Sequence, residues 1–127
     1  MKKLAYLSGA AMGGLAVIIG AFGAHALEER LMTNGHLDTF ETGAKYHMYH
    51  ALFLLFLGMI AEFGESKWLR VATWTGLIGL LVFSFSLYFL SVLDIPKLGM
   101  VTPLGGTLLI VAWLTLFIHL YRRLKAT

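Results

Sequence analysis

His47 and His50 stand three residues apart, a spacing that puts two imidazoles on one face of a helix. With His25 as a third ligand and positions left open, such a set would suit zinc or copper. The chain has no cysteine, and no carboxylate falls at ligand spacing, so the set is incomplete. Beside Tyr46 and Tyr49, the same imidazoles fit side chains that keep a polar edge among headgroups or against a neighbouring helix. Neither a metal nor another cofactor is expected. Ser84, Ser86 and Tyr88 make a second polar run. Pairing either serine with His50 would supply a nucleophile and a base. The chain offers neither the strand-to-helix elbow nor the oxyanion donors that acyl transfer needs. A serine in an apolar helix more simply bonds its own backbone or glues two helices together. Gly105-Gly106 lacks the lysine and the further glycines of a phosphate-binding loop. These groups describe a binding surface rather than an enzyme.

The elements that must position them are long and apolar. Residues 4–26 carry no charged side chain, and about 20 apolar residues at roughly 1.5 Å each cross a bilayer. At about 100° per residue, Gly9, Gly13, Ala16, Gly20, Gly23 and Ala24 share one side, with Leu4, Leu7, Leu15, Ile18, Ile19 and Phe22 opposite. Lipid tails do not distinguish these faces, but a neighbouring helix does, because small residues let two backbones approach. The first helix therefore reads as the central post of a bundle. It would pack through its glycines against the third and fourth spans, where Gly76, Gly79, Gly105 and Gly106 offer small positions. Lys2-Lys3, the apolar run and Ala24-His25-Ala26 also resemble a secretory leader. The run exceeds the roughly 7–15 residues of a leader core, so it reads as a retained anchor.

Three more helices follow, over about 38–63, 68–93 and 103–121. Thr33-Asn34-Gly35 has the composition of a turn, Asp38 fits an N-cap, and Asp94, Pro96 and Gly99 break the third span. Thr102 as N-cap with Pro103 behind it restarts the fourth. The expected fold is one all-α domain over residues 1–127, an antiparallel four-helix transmembrane bundle. Lys2, Lys3, Lys67, Arg70, Arg122, Arg123 and Lys125 fall on one side and Arg30, Lys45 and Lys97 on the other. The excess of basic residues puts both termini in the cytoplasm. The net charge of +3 fits lipid headgroups better than nucleic acid. This topology brings His25, Tyr46, His50, Ser84, Ser86, Tyr88 and Thr102 to one depth, near the outer interface. No span carries an Asp, Glu, Lys or Arg away from its ends, which argues against a charge-lined pathway.

Four motifs agree in order and spacing: Gly20-Ala21-Phe22-Gly23-Ala24-His25, residues 46–50, Phe83-Ser84-Phe85-Ser86-Leu87-Tyr88, and Thr102-Pro103-Leu104-Gly105-Gly106 followed by Trp113. Across nearly the whole chain they resemble a family of small four-span membrane proteins of bacteria and mitochondria, domain of unknown function 423, also called transmembrane protein 256-like. The family pattern has Gln where this chain has His47, and Gly where it has Phe85. The resemblance implies an inner- or plasma-membrane location and supplies no catalytic residue or cofactor. Taken together, these readings give a non-enzymatic integral membrane protein. It would be surrounded by lipid and self-associating, stabilising membrane assemblies or binding a lipid or membrane-protein partner through the polar cluster. The alternative is a small oligomeric transporter or channel for an ion or small solute.

Overall fold

Inside hydrocarbon no water is available to bond free backbone groups, so an apolar chain satisfies them within helices. The computed structural model describes residues 1–126 and is all-α. Among these residues the α-helices are α1 (Lys2–Ala24), α2 (Glu28–Asn34), α3 (Leu37–Ala61), α4 (Lys67–Leu93) and α5 (Thr102–Lys125). A 3₁₀ turn, Pro96–Met100, leads into α5. Three segments are long and apolar enough to cross a membrane: α1, α4, and the 3₁₀ turn together with α5. Helix α3 matches them in length but carries Asp38, Glu41, Lys45 and His47 in its first half and His50 at its middle.

Helix α1 packs on α3, α3 on α4 and α4 on α5. At one end the Met1 ammonium lies 3.0 Å from Glu65 Oε1, and Lys2 Nζ lies 3.0 Å from Glu62 Oε2. The backbone N–H of Lys2 and the ammonium hold the Glu65 carboxyl below its usual range. Ser66 Oγ meets His119 Nδ1 there, so both chain ends and the α3–α4 loop share this end.

The first helix is not the central post expected from its small face. It lies at the edge and meets α3, not α4 and α5, while α3 and α4 form the middle of the core. The reason is the width of its seam. Ala5, Gly9, Ala16 and Gly23 are buried, and the last three recur every seven residues, the period of a straight interhelical seam. A Cβ at Gly9 would stand 2.8 Å from Leu55 N, whereas one at Gly13 would make an ordinary 3.9 Å contact with Ala51. At Gly20 it would meet nothing within 4 Å. The closest approach joins α4 to α5. A Cβ on Gly105 would run into the Phe83 backbone, 2.7 Å from its Cα, and one on Gly79 would stand 3.0 Å from Leu109 N. Between α3 and α4, Gly76 makes room for the Phe53 ring. Gly43 and Gly58, not anticipated from sequence, accept Leu87 and the Tyr6 ring in the same way.

The segment that ends in the expected turn Thr33-Asn34-Gly35 contains a helix not anticipated from sequence, α2. Glu28 and Glu29 occupy its first turn, where the helix dipole favours acids, and Leu31 is wholly buried. Leu31 joins Phe40 and Tyr88 in a second core. Gly35, with φ of 72°, ends the helix, and His36 N–H bonds back to the Leu31 carbonyl at 3.0 Å. From there Arg30 Nε donates to the Val92 carbonyl at 2.8 Å, and Asn34 Nδ2 to the Ser91 carbonyl at 3.1 Å. These are carbonyls that the end of α4 leaves without helical partners. Asp94, in the left-handed region at φ of 52°, holds His36 at 2.8 Å. Neither expected N-cap is used: His36 and Val101 occupy those positions. Ser66 instead caps α4, accepting from Leu69 N–H at 3.1 Å.

Gly105→Ala should destabilise the protein by about 1–3 kcal/mol, because the Phe83 backbone cannot move aside as a side chain can. Gly20→Ala should be neutral or slightly stabilising, since it adds helix propensity in open space. Thermal unfolding of both variants in one detergent checks the contrast.

Candidate functional site

His50 sits on the side of α3 that faces α5 and is 4 % exposed. Its Nδ1 lies 2.8 Å from the Tyr46 carbonyl, and Trp113 Nε1–H points to its Nε2 at 3.2 Å. A carbonyl only accepts and an indole only donates, so these partners fix a neutral imidazole with its proton on Nδ1. The bonds occupy both ring nitrogens, leaving no lone pair for a metal or for a substrate proton. Aromatic rings complete the surroundings. Tyr46 stacks on His50 at 6.0 Å and tilts against Phe83 at 4.9 Å. Phe53 lies 4.5 Å from the Trp113 ring. Together with the side of α5 from Gly106 to Phe117, Tyr46, His50 and Phe83 line a recess of about 570 Å³, with Phe53 behind Trp113. It opens sideways, where Ile110, Leu114 and Phe117 are more than half exposed.

The other residues singled out from sequence do not join this recess. His47, entirely buried, has Nδ1 2.9 Å from Tyr88 Oη. With the phenol donating, the ring proton falls on Nε2, which has no hydrogen-bond partner. Ser86 Oγ pairs with Thr102 Oγ1 at 2.7 Å and also donates to the Phe83 carbonyl. Ser84 is fully buried with its hydroxyl unpartnered. His25 is exposed at the end of α1, and no hydrogen bond or ring contact joins it to the rest among the described residues. The three histidines named as a conceivable metal set therefore do not converge. Nor do the seven polar residues share one depth. Thr102 and Trp113, both on α5, are separated by about 16 Å along the axis at 1.5 Å per residue. The cluster resolves into three pairs: Ser86–Thr102 and His47–Tyr88 toward the α2 end, and His50–Trp113 midway along α3 and α5.

Trp113, Phe53 and Phe83 are the members that sequence reasoning did not assign to the site. One signal for Trp113 was available. An indole N–H in the middle of an apolar helix needs an acceptor, and His50 was the buried-side candidate.

Tyr88→Phe should cost about 1 kcal/mol, the scale of a side-chain hydrogen bond between membrane helices. His47→Gln, which restores the residue of the family pattern and keeps a group able to bond the phenol, should cost less than His47→Leu. A double-mutant cycle by thermal unfolding should show His47→Leu and Tyr88→Phe to be non-additive.

With this geometry established, comparison with known proteins gives the family. Residues 19–106, from late α1 to early α5, match the family described as Protein of unknown function (DUF423). The UPF0382 membrane protein YwdK of Bacillus subtilis is 40% identical over 117 residues, covering 91% of this chain and 94% of its own. A UPF0382 membrane protein of Staphylococcus epidermidis is 40% identical over 116 residues, covering 91% and 93%. One from Staphylococcus aureus is 38% identical over 120 residues, covering 94% and 97%. No solved structure matches this chain. The chain belongs to the DUF423 family of membrane proteins.

Proposed function

We propose that this is a non-enzymatic, multi-pass protein that binds one lipid acyl chain in the groove between α3, α4 and α5. The groove itself carries the reading. From Gly106 to Phe117 it runs about 16 Å along α5. Apart from the edges of Tyr46, His50 and Trp113 its lining is apolar, which suits a hydrocarbon chain. The polar floor is compatible with such an occupant, because His50 and Trp113 satisfy each other and present no free charge.

In the same proposal α3 is a fourth span and both chain ends lie in the cytoplasm of a plasma membrane. Support comes from the outer stripe of α3, where Leu52, Phe56 and Met59 are exposed. The charge division also supports it: seven basic and two acidic residues at the end with the termini, against three basic and five acidic at the other. Self-association would use the outer side of α1, where Gly14 leaves open space.

Phospholipid bearing a photoactivatable group on its acyl chain tests the groove. Cross-links should concentrate on Ile110, Leu114 and Phe117 and fall at least fivefold in Gly106→Leu, which fills the recess. Equal labelling of the outward face of α1 at Leu7 and Val17 would sink the idea. Because the chain lacks cysteine, single cysteines at Lys97 and Lys125 test orientation. An impermeant thiol reagent outside intact cells should label the first and not the second.

A further inference from the structure

At the end that carries both termini, the start of α4 and the end of α5 enclose a second recess. It has a volume of about 390 Å³ and is lined by Ser66, Lys67, Trp68, His119, Arg122 and Arg123. None of these six lines the acyl-chain groove. Its hydrogen-bonding capacity is one-sided. Ser66 Oγ accepts from Leu69 N–H at 3.1 Å and lies 2.8 Å from His119 Nδ1. Assigning the hydroxyl proton to that nitrogen puts the imidazole's own proton on Nε2. His119 is only 7 % exposed, yet its Nε2 has no partner. The indole N–H of Trp68 is likewise buried and unpartnered.

Two buried ring N–H groups thus face no acceptor beside a cluster of cations. Lys67 Nζ lies 5.2 Å and the Arg122 guanidinium 5.1 Å from the Trp68 ring centre, and Arg123 lies over Phe63 at 5.8 Å. The first turn of α4 adds the positive end of a 27-residue helix and contains no acid. The nearby carboxylates, Glu62 and Glu65, are held by Lys2 and the Met1 ammonium. Donors and positive charge without an acceptor are the requirements of an oxyanion.

We infer that this recess binds a phosphate group through the ring N–H groups of His119 and Trp68, with Lys67 and Arg122 supplying charge. The phosphate belongs either to an anionic lipid headgroup or to a small soluble phosphate. The inference stands apart from the groove reading, since the lining residues differ and the probes carry short chains or none.

The test uses the full chain purified in a neutral detergent. It is titrated with dioctanoyl phosphatidylglycerol, dioctanoyl phosphatidylcholine and inorganic phosphate, and binding is read from tryptophan fluorescence and thermal shift. Phosphatidylglycerol should bind more tightly than phosphatidylcholine. Lys67→Gln and Arg122→Gln, both at exposed positions, should weaken it about fivefold each. Lys97→Gln, at the opposite end, should leave it unchanged. Phosphatidylglycerol binding alone identifies a lipid headgroup; binding by inorganic phosphate in competition with it identifies a site open to soluble phosphate. Equal affinity for the two lipids with no response to phosphate overturns the inference. So does an affinity that Lys67→Gln and Arg122→Gln leave intact while both variants unfold at the parent temperature.

Discussion

The bundle depends on helix backbones that approach to van der Waals distance at a few glycines. In lipid, burying a leucine against another leucine gains little over leaving it among acyl chains, so close contact and polar bonds must hold the helices. Gly79 and Gly105 draw α5 onto α4, and Gly9 draws α1 onto α3. The polar bonds follow from that proximity. Ser86 and Thr102 have short side chains and meet at 2.7 Å only because α4 and α5 run so close. Trp113 reaches across to His50 for the same reason. A bulkier residue at Gly105 would therefore remove more than one contact, because it would move α5 as a unit.

Once the helices are apposed, each polar side chain must find its partner inside the protein. His50 is the complete case, with one donor and one acceptor matched to a neutral ring. His47 is half complete, and Ser84 and Ser91 keep unpartnered hydroxyls in the core. The family pattern of glutamine at position 47 fits this view. An amide, like the imidazole, offers both a donor and an acceptor, so either can bond Tyr88. The imidazole at this position is thus a chemical variation on a structural bond, and its distance from ligand geometry is what separates it from a metal site.

The helices were legible in the sequence because their apolar runs are long and their breaks, at Asp94 and Pro96, are sharp. The role of α1 was not. Small residues on one side announce a close neighbour but not which neighbour, and only Gly9, Ala16 and Gly23, seven apart, mark the narrow seam that is filled. Helix α2 was not anticipated because seven residues with two acids give a weak periodic signal. Its stability comes from Leu31 in the core and from Arg30 and Asn34 on the α4 carbonyls, which are tertiary facts. The polar residues were expected in one cluster, and they meet instead in separate pairs. Their division into separate pairs depends on the axial stagger of α3 against α4 and α5, and side-chain type does not encode stagger.

The two ends of the molecule resolve their electrostatics in opposite ways. At the α2 end, Arg30 and Asn34 bond the last carbonyls of α4, a donor-to-carbonyl match that helix chemistry favours locally. At the other end, Arg122, Arg123 and Lys125 suit the negative end of α5. Lys67 and Arg70, however, stand near the positive start of α4, an arrangement the helix dipole opposes by about 0.3–1 kcal/mol per charge. No acid in that turn offsets them. Side-chain packing does not demand cations at either position, since both are exposed. On the proposed orientation, what favours them would lie outside the fold: the preference for basic residues on the cytoplasmic side of a bilayer, and anionic groups at its surface. A local cost retained against helix preference is the pattern of a position shaped by surroundings rather than by folding. At the start of α4 those surroundings would be phosphate.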